Sequence, residues 1–302
     1  MKKILLLLSL VAFAVGCIQN ETPTPKPPTS KYQKHAGNNE IKVMSFNVRT
    51  SASPTDKDTP NQWDNRKAAC LALIKDQMPD IMGTQETTYT DQWVWLKTQL
   101  KSAGYDGYGI NRMTGKESGS GEVSGILYNT NVVRKKEAGT FWLSETPDKP
   151  SKGWDAENYR TAAWGLFEHI PTGKEFFFVN THLDHKSTTA QVEGMKLIAN
   201  KLKEYKGECP LLLTGDFNVG STDEAMKAVG DFMYNARLYA NRTDSHGTTN
   251  GFNNPNAKSQ IDHIYYSREL KRPTEYYTIR EAYNGVTYVS DHYPIYAIIK
   301  LK

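Results

Sequence analysis

Residues 211–218 read Leu211-Leu212-Leu213-Thr214-Gly215-Asp216-Phe217-Asn218. Three consecutive leucines cannot alternate between core and solvent, so the run predicts a short strand covered on both faces. Gly215 to Asn218 then places a carboxylate and an amide where the chain leaves the sheet. The same arrangement, an apolar run meeting a polar cluster, recurs. Ile41 to Phe46 alternates with the two-residue period of a strand and meets Asn47, and a strand over Asp80 to Thr84 is followed by Glu86. Phe176 to Val179 runs into Asn180-Thr181-His182-Leu183-Asp184. Asp262 lies in a strand expected over Ile261 to Tyr266, and Asp291-His292 precedes one over Tyr293 to Leu301. One such carboxylate is ordinarily a turn former or a helix cap; so many clusters at strand ends predict a shared rim.

Between these strands the spacing changes. Trp63, Lys67, Cys70, Leu71 and Ile74 recur at helical intervals until Pro79 stops them, a helix is expected around Asp91 to Leu100, and Val192, Met195, Ile198, Ala199 and Leu202 form one apolar face. Segments near Tyr105, Gly125 to Tyr128, Val132 to Leu143 and Ala162 to Ile170 read as an antiparallel middle region, with a turn over Pro171 to Lys174. The expected fold class is therefore α/β: two mixed β-sheets packed face to face and flanked by helices.

The amino terminus reads as an export signal. Lys2-Lys3 is followed by an apolar run from Ile4 to Val15, shorter than the roughly 20 residues a spanning helix needs. Ala14-Val15-Gly16-Cys17 resembles a bacterial lipobox, with Ala14 where Leu is more usual, so residues 1–17 are expected to be a lipoprotein signal acylated at Cys17. Residues 18–39, with Thr22-Pro23-Thr24-Pro25-Lys26-Pro27-Pro28, read as a Pro/Thr-rich tether. A single domain is expected over 40–302, held at a membrane in the periplasm or at the cell surface. Removing the first 17 residues lowers the formal charge from +4 to +2, so charge alone argues for neither nucleic acid nor an anionic membrane as partner. Cys70 and Cys209 occupy core-like positions and read as thiols rather than a bridge.

The clusters are rich in oxygen ligands and imidazoles and contain no paired cysteines, which suits Mg²⁺, or Mn²⁺, better than structural zinc. Phosphate ester chemistry uses such a set: a cation and an amide for developing charge, a carboxylate for water, an imidazole for protons.

In order, Phe46-Asn47-Val48-Arg49, Gln85-Glu86, Asn180-Thr181-His182-Leu183-Asp184, Gly215-Asp216-Phe217-Asn218 and Ser290-Asp291-His292 resemble the endonuclease/exonuclease/phosphatase superfamily. The resemblance implies a four-layered α/β sandwich and metal-dependent phosphoester hydrolysis. It implies Glu86 as principal metal ligand, with Asn47 beside it and Asp291 near the same or a second cation. Asp216 would position or activate water, Asn218 would stabilise the transition state, and His292, oriented by Asp262, would act as general acid or base. His182 would contact a phosphate oxygen, and Asn180 joins the substrate-binding set. Asp184 reads equally well as a helix cap before Ser187, and His185, His246 and His263 as surface or packing residues.

Thr140 to Ser144, Gly153-Trp154-Asp155 and Arg160 are similar to a bacterial branch grouped with the carbon-catabolite-repressor deadenylases and nocturnin. Arg160 and Arg112 are candidate phosphate clamps, against a salt-bridged alternative. Trp142, Trp154, Tyr159 and Trp164 are candidate base- or sugar-stacking rings, against a packing alternative. The leading expectation is a nuclease or phosphodiesterase of the exoribonuclease-like branch. The alternative is a phosphatase or phosphodiesterase for sugar phosphates, inositol phosphates or phospholipid head groups. A binding protein with a dead site is disfavoured because each chemical position holds a competent residue.

Overall fold

A computed structural model describes residues 36–205 and 209–301; the expected signal, Cys17 and most of the 18–39 tether lie outside them. The first sheet contains β1 (Glu40–Asn47), β2 (Ile81–Thr88), β3 (Tyr105–Tyr108), β4 (Glu122–Asn129), β11 (Glu275–Thr278) and β12 (Ile295–Lys300), ordered β11-β12-β1-β2-β4-β3. The second contains β5 (Val133–Trp142), β6 (Thr161–His169), β7 (Lys174–His182), β8 (Leu211–Asp216), β9 (Met233–Asn235) and β10 (Asp262–Ser267), ordered β5-β6-β7-β8-β10-β9. Each sheet is mixed. β1 pairs parallel with β2, β7 pairs parallel with β8, and the remaining pairings are antiparallel.

The leucine run explains itself in this arrangement. Leu212 points between the sheets, joining Ile41, Val43, Phe176, Phe178 and Ile264, whereas Leu211 and Leu213 face Met195, Ile198 and Leu202 of helix α3 (Thr188–Tyr205). Neighbouring β7 divides its phenylalanines in the same way, with Phe177 on the α3 side. Burial of both faces removes any need for alternation. The sheets approach closely at Gly83 of β2, where a Cβ would fall 2.2 Å from Asn180 Oδ1 and 2.3 Å from Thr214 Oγ1. Any side chain at this position would push the sheets apart.

Helix α1 (Trp63–Gln77) turns a different face inward from the one the spacing suggested. Arg66, Ala69, Leu73 and Gln77 are buried with Trp63, Cys70 and Ile74, while Lys67 and Leu71 are only half-covered. The buried charge of Arg66 broke the apolar pattern that marks a face. The helix expected over Asp91 to Leu100 is a π-helical turn (Tyr89–Val94) continuing into α2 (Trp95–Leu100). β9 and β11 had no clear pattern, being three and four residues long. Cys70 and Cys209 are free thiols. Among the described residues no helix is long and apolar enough to cross a membrane.

Candidate active site

Strand register assembles the centre of the site. His182 at the end of β7 lies opposite Asp216 at the end of β8, and Asp216 lies opposite Asp262 at the start of β10. Three side chains separated by dozens of residues thus form one row across the second sheet. Asn47 enters from the end of β1: its Nδ2 donates to Asp216 Oδ2 and to Glu86 Oε1, each at 2.9 Å. Glu86 is aimed by a bulge, because the β2–β4 register shifts between Thr84 and Thr87. Its backbone φ of +59°, with Arg49 at +60° and Asn218 at +54°, puts three non-glycine residues in the left-handed region around one cleft. Such residues cost of order 1 kcal/mol or more each and concentrate where geometry is demanded.

His292 completes the row. Its Nδ1 lies 2.8 Å from Asp262 Oδ2 and 3.8 Å from Asp216 Oδ2. Burial works against the imidazolium, but the carboxylates of Asp262, Asp216 and Asp291 outweigh it and raise the His292 pKa well above the ordinary value. His182 goes the other way. Burial, reinforced by the Arg160 and Arg112 charges, holds it well below its usual value, so it is neutral. Its Nε2 is 3.5 Å from Asp216 Oδ2, and its Nδ1 is buried without a hydrogen-bond partner among the described residues. Burial and the neighbouring Asp262 charge push the Asp216 carboxyl up to about 7, against the opposing pull of His292. Burial also acts on Glu86, yet the Asn47 amide, the His292 cation and the Thr50 N–H outweigh it and lower its pKa.

The donor set suits a hard cation. Glu86, His182 and Asp216 form one group whose ligand atoms all lie within 4.8 Å of one another, and Asp216, Asp262 and His292 form a second. Among the described residues Asp262 Oδ1 is buried without a hydrogen-bond partner, and one Asn47 amide N–H₂ is shared between the Glu86 and Asp216 carboxylates, which otherwise accept from Thr50 N at 3.2 Å and Asn218 N at 3.0 Å. Glu86, Asp216 and Asp262 thus converge beside one imidazolium, His292, a set with carboxylate oxygens to offer a hard cation. Two of the expected metal ligands also have protein partners of their own. Asn47 presents nitrogen to the carboxylates while its Oδ1 accepts from Arg49 N at 2.9 Å, and Asp291 belongs to neither group and pairs with Arg49 at 3.2 Å.

The remaining expected residues divide. Asn218 sits beside Asp216, its N–H donating to Oδ1 at 3.0 Å and its Nδ2 to Leu183 O at 3.0 Å. Arg112 and Arg160 line the cleft and are also ion-paired, Arg112 with Glu122 at 2.7 Å and Arg160 with Asp184 at 3.4 Å. Asn180 leaves the substrate-binding set. It is fully buried between the sheets, donating to Thr84 O and Gly125 O at 2.8 and 2.9 Å and accepting from Gln85 and Thr214 at 2.7 and 3.1 Å. Nothing of that amide is left for a ligand. The α3 cap is Ser187, whose Oγ accepts from Ala190 N at 3.1 Å, while Asp184 braces the loop before it, accepting from Lys186 N and Ser187 N at 3.0 Å each and from Glu157 N at 3.1 Å. His263 is a packing residue, as expected, whereas His185 lines the cleft and meets Arg160 at 3.0 Å.

Three of the four aromatic candidates are spent on packing, and the fourth, Tyr159, is half-buried between the cleft residues Asn158 and Arg160. Trp142 is buried and donates to Arg112 O at 2.6 Å, Trp164 stacks on Phe177 and Tyr205 with centroids 5.4 and 4.9 Å apart, and Trp154 packs on the α3 core. The cleft, about 280 Å³, is lined instead by Arg49, Arg112, Arg160, Asn158, His182, His185 and His292 with the acidic centre, and no Phe, Tyr or Trp is among its lining residues. Arg49, Glu122 and Asn158 carried no assigned role in the sequence. Arg49 was signalled by its place beside Asn47; the other two had no local signal.

The sequence profile of the Endonuclease/Exonuclease/phosphatase family matches residues 44–292. A solved endonuclease/exonuclease/phosphatase family protein from Bacteroides thetaiotaomicron is 36% identical with a TM-score of 0.80, over 87% of this chain and 98% of that one. The mannosyl-6-phosphatase of Bacteroides thetaiotaomicron is 37% identical with a TM-score of 0.74, over 86% and 99%. The CCR4-Not complex 3'-5'-exoribonuclease subunit Ccr4 of Debaryomyces hansenii is 27% identical over 293 residues, 82% of this chain but only 34% of that protein.

Proposed function

The chain belongs to the endonuclease/exonuclease/phosphatase family, whose members hydrolyse phosphoesters, and we propose that its own substrate is a small, polar phosphate ester of the sugar phosphate class. One observation carries this reading: a cleft of about 280 Å³ walled by three arginines and three histidines beside the carboxylates, with no Phe, Tyr or Trp among its lining residues. That volume lies just below the usual range for ligand sites. Guanidinium and amide groups suit phosphate oxygens and hydroxyls. Similarity to a mannosyl-6-phosphatase along most of both chains supports the same reading. The exoribonuclease-like reading draws its support from the Ccr4 similarity and stands second.

In this proposal Mg²⁺ or Mn²⁺ would be held by Glu86 with Asp216, Asn47 and Asp291 at hand, and would supply Lewis-acid neutralisation of phosphoryl charge. The chain's own groups do the rest. Asp216 orients the attacking water and accepts its proton. His292, held by Asp262 through Nδ1, presents Nε2–H to the leaving oxygen as general acid. Asn218 and neutral His182 hold phosphoryl oxygens, and Arg160 and Arg112 grip the phosphate or the adjoining hydroxyls. The test is inorganic phosphate release from hexose 6-phosphates with Mg²⁺. Arg160→Met should raise KM by roughly tenfold or more, the loss of a charged hydrogen bond. An unchanged KM would remove Arg160 from the binding set.

A further inference from the structure

Arg66 lies in α1, outside every strand-end motif, and is 1% exposed. Its Nη1 donates to Val48 O at 3.0 Å and to Val289 O at 2.8 Å, its Nη2 to Arg49 O at 3.2 Å, and its Nε to Asn61 O. Val48 and Arg49 directly follow Asn47, and Val289 directly precedes Ser290-Asp291-His292. The guanidinium also lies over two rings, 5.6 Å from the Trp63 ring centre and 5.3 Å from that of Phe252. Phe252 belongs to a turn that grips the same loop: Asn250 N and Gly251 N donate to Asp291 O at 2.8 and 3.0 Å, and Asn250 Nδ2 donates to Ser290 O at 3.1 Å.

All of these acceptors are backbone carbonyls, so a cation is buried here without an ion-pairing carboxylate among the described residues. Such burial is unfavourable beside an apolar side chain of similar shape. What the guanidinium provides is several N–H donors fixed in one plane, a geometry that no other side chain offers. We propose that Arg66 is a positioning residue for hydrolysis, fixing the exit of β1 against the Asp291–His292 loop and so aligning His292 with the Asn47–Glu86 side of the cleft. The inference rests on the hydrolase reading of that cleft, and on the principle that misplacing a catalytic group by about 1 Å costs turnover more than binding.

The test compares wild type, Arg66→Lys and Arg66→Met by thermal melting, amide hydrogen exchange and Mg²⁺-dependent phosphate release from mannose 6-phosphate. Folded variants should lose about tenfold or more in kcat with KM within about threefold. Exchange at 47–50 and 289–293 should accelerate by about tenfold or more while β7 and β8 stay protected. Arg66→Lys should retain more turnover than Arg66→Met. If Arg66→Met does not fold, Arg66→Lys decides. Wild-type kcat in a folded variant, uniform loss of protection, or failure of both variants to fold overturns the proposal. Should wild type release no phosphate, the substrate reading fails while the exchange pattern still judges the clamp.

Discussion

His292 Nδ1 stands 2.8 Å from Asp262 Oδ2, and because a carboxylate only accepts, the imidazole donates there and leaves Nε2 for the cleft. Asp262→Asn removes that constraint on the tautomer. It should lower kcat by at least about a hundredfold, as should Asp216→Ala and His292→Ala. The double variant Asp262→Asn/His292→Ala should be little worse than His292→Ala alone, since the pair acts as a unit. Steady-state kinetics on folded variants decide this, and near-normal turnover in both Asp216→Ala and His292→Ala would sink the mechanism.

Asn180 joins the sheets through four hydrogen bonds, and Gly83 leaves space for it. Asn180→Ala should cost roughly 3 kcal/mol of stability, because several buried polar partners lose their bonds together. Gly83→Ala should destabilise by a similar amount or abolish folding, since the contacts lie far inside van der Waals distance. Denaturant unfolding measures both. Enzyme that remains folded in Asn180→Ala should keep its KM, whereas a raised KM with unchanged stability would return Asn180 to the substrate-binding set.

His263 is fully buried, with Nε2 3.0 Å from Val219 O and Nδ1 3.3 Å from Asn235 Nδ2, a pattern that the neutral ring satisfies. Burial lowers its pKa to about 4, from 6.5. The unfolded chain therefore takes up this proton more readily than the folded one. Its contribution is complete above pH 6.5 and is lost as pH falls through about 4, up to about 3 kcal/mol. His263→Gln should flatten that part of the stability profile, measured by urea unfolding at successive pH values. An equally steep decline in the variant would assign the acid sensitivity elsewhere.

If Cys17 is acylated as the leader sequence suggests, Cys17→Ser should move the protein from the membrane fraction to the soluble fraction without altering its specific activity. Fractionation after expression in a bacterial host checks this. Unchanged membrane association in the variant would refute the anchor.

The fold was legible wherever chemistry follows local spacing. Leu211 to Leu213 and Phe176 to Val179 showed strands buried on both faces, and the polar residue at each strand end marked the rim. What escaped depends on partners distant in sequence. Asn180 looks like a site residue because it stands two positions from His182 and shares its strand face, yet one step back from the rim that face is covered by the other sheet, where Thr84, Gln85 and Gly125 take up its amide together with Thr214. Arg66 concealed the true face of α1, because a buried guanidinium satisfied by carbonyls has no periodic signature. Trp142 and Trp164 read as either stacking or packing rings, and what decides for packing is Arg112 O for the one and Phe177 with Tyr205 for the other. Neither partner is visible in the local sequence.

The decisive measurement is the kcat/KM of residues 40–302 with Mg²⁺ on mannose 6-phosphate beside a single-stranded oligoribonucleotide at equal enzyme concentration. A small cleft with no Phe, Tyr or Trp in its wall should favour the hexose phosphate by about a hundredfold or more, the scale on which two charged hydrogen bonds discriminate. Rapid shortening of the oligonucleotide with inertness toward the sugar phosphate would contradict this reading and restore the exoribonuclease-like one.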